Sequence, residues 1–131
     1  MGIFMNRKCK LAATSLAFGL LTFPVMADTL LGSYVARISQ DDRFASDGYP
    51  LESAAQMVRQ DRANWHRFGR GDREDENDRW FKTNQQRARL QTMLERKGAM
   101  DATTRRAITN GEPLIQVDVY SSSVQVIILE R

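Results

Sequence analysis

The chain has 131 residues, with 19 basic and 16 acidic side chains and a formal net charge of +3. Three of the basic residues and none of the acidic ones lie in the first 27, so the remainder is balanced at 16 against 16. That balance removes the electrostatic case for a nucleic-acid or anionic-membrane partner. The single cysteine, Cys9, excludes an intrachain disulfide and the usual thiolate metal sets.

The N-terminus has the order of a secretory signal. Arg7, Lys8 and Lys10 form a basic head, Leu11 to Met26 is uncharged and mostly apolar, and Val25-Met26-Ala27 has the small-x-small spacing of a cleavage site. Cleavage after Ala27 is expected, leaving a domain of residues 28–131 that begins at Asp28. The apolar run of about 16 residues is short for a spanning helix, which needs about 20, so no membrane insertion is expected after cleavage. Cys9 precedes the apolar run, whereas a lipidated cysteine would follow it. A cysteine-free remainder with no N-x-S/T sequon points to a bacterial periplasmic or secreted protein.

Ser33–Ser39 reads as a strand with Tyr34, Ala36 and Ile38 on one face. A turn-rich stretch, 40–50, follows, carrying Asp41, Asp42 and Asp47. These acids miss the spacing of a calcium loop, and no metal or cofactor is expected. Leu51–Phe68 reads as an amphipathic helix, with Pro50 and Glu52 suiting its start and Gly69 and Gly71 its end. Its apolar stripe is Ala54, Met57, Val58, Trp65 and Phe68. Asp61 falls inside that stripe, so it needs a buried partner. Arg62 is adjacent and points elsewhere on a helix, so the partner is sought in the 40–49 loop or at Arg105 and Arg106.

Two more helices are expected from 73 to 97. Trp80, Phe81 and Ala88 would face nearly opposite to Leu90, Met93 and Leu94 on one straight helix. The spacing therefore predicts a helix over Arg73–Lys82 capped by Asp72, a break, and a helix over Gln85–Lys97 capped by Asn84. Asp101 caps a short helix closed by Asn110-Gly111. Leu114–Tyr120 and Val124–Glu130 read as a hairpin around Ser121–Ser123. The last strand is apolar on both faces, which predicts that it is central. The sum is an α+β fold: a three-stranded, mainly antiparallel sheet against three to four helices, with Asp61, Asp72, Asp101 and Gly111 as structural residues.

Few residues offer chemistry. His66, the only histidine, is a weak candidate for a general base. Fourteen of the 16 basic residues after position 27 are arginines, and Arg59, Arg62, Arg67, Arg70, Arg73 and Arg79 crowd the first helix and the loop after it. The interleaved acids suggest a salt-bridge network there. Arg62, Trp65, Arg67, Arg70 and Trp80 are the candidate binding residues, since guanidinium forks and aromatic rings favour anionic or planar partners. Arg70-Gly71-Asp72 spells an adhesion tripeptide, but glycine as helix stop and aspartate as helix cap account for it. Two functions remain open: a non-enzymatic module that binds another protein or an envelope component, and a small secreted hydrolase that uses His66 with carboxylates of residues 72–78.

Overall fold

A computed structural model describes residue 2, residues 19–24 and residues 26–131. The basic head of the expected signal, Cys9 and most of its apolar run lie outside the described residues. Leu20, Leu21, Phe23 and Met26 are exposed and take no part in the core. No described helix is long and apolar enough to cross a membrane.

Three strands form one antiparallel sheet: β1 (Leu30–Arg37), β2 (Leu114–Tyr120) and β3 (Val124–Glu130). Among the described residues, three α-helices pack against it: α1 (Ala54–Phe68), α2 (Asn84–Leu94) and α3 (Ala102–Asn110). The fold is α+β, as the sequence predicts. Tyr34 and Ala36 of β1, and Ile38 just after it, are buried on the inner face with Ile115, Val117 and Val119 of β2 and Val124 and Val126 of β3. They meet Val58 of α1, Leu90 and Leu94 of α2 and Ile108 of α3, all fully buried. Each such aliphatic side chain contributes roughly 1.5–3 kcal/mol on burial.

The strand order is β1-β2-β3, so β2 is central and β3 is an edge, contrary to expectation. Ile127 lies opposite Gln116 on the outer face. Ile127 and Leu129 are exposed there, so their apolar character marks an uncovered face and not a central strand.

Helix α1 starts three residues later than the sequence suggested. Ser53 caps it: its hydroxyl accepts from Gln56 N–H, while the Gln56 side chain accepts from Ser53 N–H. Pro50 pairs with Phe44 in an isolated antiparallel bridge instead. Gly69 ends the helix at φ 61°, a left-handed conformation that costs glycine little. Thr83, not Asn84, caps α2, in the same reciprocal arrangement with Gln86. Asp101 caps α3 as expected, accepting from Thr104 N–H at 2.7 Å, and Gly111 closes it. At that end the Arg43 guanidinium donates to the carbonyls of Ile108, Thr109 and Gly111. A cation there suits the negative end of the helix, and it ties the 40–51 loop to α3.

The expected helix over Arg73–Lys82 does not form, and Asp72 caps nothing. The segment runs irregularly along the free edge of β1. Its acids take other backbone donors: Asp75 accepts from Arg37 N–H at 2.8 Å, and Glu76 accepts from Val35 N–H at 2.9 Å. Glu76 N–H donates to Val35 C=O. Asp78 accepts from both Trp80 and Phe81 N–H groups. Side-chain acceptors of this kind compete with helix formation. Gly71 fits the same picture, since a Cβ there would lie 2.3 Å from the Trp65 ring. The glycine makes room for an indole.

Asp28 closes the hairpin from the other side of the chain. Its carboxylate accepts from the hydroxyls of Ser121 and Ser123 and from Ser122 N–H. Those hydrogen bonds, Ser123 foremost, hold its pKa down at about 2.

Candidate functional site

Asp61 is buried, as its place in the stripe requires, but its partner is the adjacent Arg62 and neither of the regions expected. Arg62 Nε donates to Asp61 Oδ2 at 2.7 Å, with both side chains sealed from solvent. The long arginine folds back across the helix surface until its guanidinium lies over the Tyr34 ring, 4.3 Å from the centroid. From there Nη1 donates to Asp78 Oδ2 at 3.0 Å and to Glu76 C=O at 2.8 Å. Burial opposes the Arg62 charge, but Asp61 and the other partners outweigh it and hold the group firmly protonated.

His66, one turn further along α1, joins the same network. Its Nε2 lies 2.7 Å from Asp78 Oδ2, the oxygen that Arg62 also uses. A carboxylate from residues 72–78 is therefore within reach, as the hydrolase reading requires. The imidazole is only 9% exposed and lines none of the five principal cavities among the described residues. Burial acts to raise the Asp78 pKa, but the bonds from His66 and Arg62 prevail and keep it below the ordinary value.

A second cluster sits beside Asp61. Asp42, Asp61 and Asp72 each bring one carboxylate oxygen within 4.8 Å of the others. Of the three acids read in the 40–50 loop, only Asp42 belongs to it. Burial pushes Asp42 up to about 7 and Asp61 well above its usual range, although Arg62 pairs with the latter. Asp72 is raised by burial as well. Ser39 N–H and Asn64 Nδ2 fill Asp42's two oxygens. The trio has the donor chemistry to hold a hard cation, and equally to share a proton between crowded acids.

The arginines depart most from the expected salt-bridge network. Among the described residues, only Arg37 and Arg62 pair with carboxylates. Arg59 is held by neutral amides, donating to Gln91 Oε1 at 2.9 Å and Asn84 Oδ1 at 3.1 Å. Arg67 and Arg70 lie over the Phe68 ring, and Arg79 over Trp80. The five candidate binding residues do not converge. Arg62 is enclosed in the core, and Trp65 is half-buried with its Nε1 donating to Asn77. Trp80 lines a separate cleft with Arg89 and Tyr120. Arg67 alone of the five lines the polar cavity of about 430 Å³ between α1, α2 and the 45–51 loop. Arg59 and Arg87 line that cavity too. Arg87 is a residue the sequence reading missed; its only signal was an arginine on the stripe of an otherwise apolar helix face.

Compared with known proteins, the chain matches no family model, no curated protein and no solved structure.

Proposed function

We propose that this is an exported protein, periplasmic or secreted, that acts as a non-catalytic binding module for another protein or an envelope component. The observation that carries the non-catalytic reading is the state of its one histidine. His66 shares Asp78 Oδ2 with Arg62, so the carboxylate that would orient a general base is committed to a buried ion pair. A base in that setting is braced against the core and away from any principal cavity. Catalysis needs a base that reaches a reacting atom at a site open to substrate.

Export rests on the order of basic head, apolar run and Val-x-Ala at the N-terminus. The exposure of Leu20, Leu21, Phe23 and Met26 supports it, because removing them leaves the core intact. Mass spectrometry of exported material is expected to find Asp28 as the first residue; an intact start at Met1 refutes processing. Affinity capture from the producing cell's envelope tests the binding role. His66→Ala is expected to retain the captured partner. A variant that melts normally yet loses biological activity would favour the hydrolase.

A further inference from the structure

We infer that the cavity between α1, α2 and the 45–51 loop binds a small molecule through an oxyanion head, a carboxylate or a phosphate, gripped by Arg59, Arg67 and Arg87. The inference rests on the binding-module reading and gives it a ligand class. Three arginines line one space of about 430 Å³. Among the described residues none of the three makes an ion pair. Asp47 is the only acid in the lining.

Arg87 is the sharpest sign. It is 4% exposed, yet its Nε has no hydrogen-bond partner. Its Nη1 donates to the carbonyls of Phe81 and Lys82, which fixes the plane of the fork without neutralising its charge. Burial and then repulsion from Arg59 and Arg67 lower its pKa. A buried cation is costly without a counter-charge, and here its neighbours in the cavity are cations too. An anion would relieve all three at once. Arg59 is already oriented by Gln91 and Asn84, whose neutral carbonyls position it and leave its charge available. Ser46 and Gln60, joined at 3.2 Å, add neutral hydrogen-bonding groups to the lining for the polar body of the ligand. Guanidinium forks match the planar geometry of carboxylates and the tetrahedral oxygens of phosphates.

Isothermal titration calorimetry of the purified protein at low salt, with inorganic phosphate in one arm and citrate in the other, tests this. At least one is expected to bind; the tighter arm identifies the head group as phosphate or carboxylate. Arg87→Gln removes a core residue and can unfold the chain, so Arg59→Gln and Arg67→Gln are the working variants. Each is expected to weaken binding by about tenfold or more at an unchanged melting temperature, the loss of one charge-assisted contact. Arg106→Gln, on α3, is expected to bind as the parent does. Failure of both anions to bind overturns the inference, as does an equal loss in Arg106→Gln, which would mean diffuse surface charge. Either failure leaves the non-catalytic reading standing, because that reading falls only with the His66 result.

Discussion

Arg62 is the counter-ion of the residue that precedes it: its Nε donates to Asp61 Oδ2 at 2.7 Å in the core. Neighbours on a helix diverge by about 100°, so the pairing depends on the length of the arginine stem and on the Tyr34 ring that supports the guanidinium. Asp61→Ala leaves that cation beside an emptied site. Breaking one side of a buried pair costs about 3–5 kcal/mol. Asp41→Ala, at an exposed acid, is expected to stay within about 0.5 kcal/mol of the parent. Urea melts of the two variants check this; equal midpoints contradict it. Asp28 is a poor control, because it holds three donors of the hairpin turn.

Stability is expected to fall as pH rises from about 4 to about 7 through Asp42. Its carboxyl titrates near 7 in the folded chain and near 3.8 when unfolded. In that window the folded state holds a proton that the unfolded state has released, and deprotonation therefore favours unfolding. Each unit of difference corresponds to about 1.4 kcal/mol. Melting temperatures at pH 5 and pH 8 are expected to differ, with the higher value at pH 5. Asp42→Asn should narrow the gap; an unchanged gap assigns the slope to other groups.

His66→Ala is expected to cost about 1.5–3 kcal/mol, the scale of one hydrogen bond to a charged group. Asp78 keeps Arg62 as a partner and still accepts from Trp80 and Phe81, so the network survives. Thermal denaturation followed by circular dichroism measures the loss. A collapse comparable to Asp61→Ala would mean that His66 carries the network instead of joining it.

The carboxylates along β1 make a prediction about solubility. Asp75 and Glu76 accept the N–H groups of Arg37 and Val35 on the edge that, among the described residues, no fourth strand covers. Exposed strand edges recruit other chains. The double variant Asp75→Ala, Glu76→Ala is expected to melt earlier and to scatter light on heating, where the parent does not. Earlier melting without scattering would limit the pair to a stabilising role.

The elements that follow simple periodicity were legible. Alternation in Leu114–Tyr120 and the serine turn define the hairpin, and Asp101 and Gly111 bracket α3 as read. The misread helix starts share one cause: polar side chains that bond to backbone. Glu74, Asp75, Glu76 and Asp78 resemble the acidic first turn of a helix, but three of them serve the β1 edge or the local turn. Spacing cannot reveal a donor that arrives from residues 35 and 37. Ser53 and Gln56 did carry a readable start signal, three residues apart, which Pro50 obscured. The burial of Asp61 followed from phase, whereas its pairing with Arg62 followed from side-chain reach. The arginine cavity was least legible, because it needs α1, α2 and a loop brought together and depends on the ion pairs that its arginines do not make.

The clasp between Asp28 and the three serines gives the domain an N-terminal latch on its final hairpin. On the proposed cleavage after Ala27, an aminopeptidase that removed this one residue would release a turn more than 90 positions away. The damage from a single-residue trim would therefore appear first at Ser121–Ser123, and hydrogen exchange of those amides would report how ragged the processed end is. A preparation with mixed starts at 28 and 29 would then behave as two populations of hairpin, tight and loose, within one otherwise identical fold.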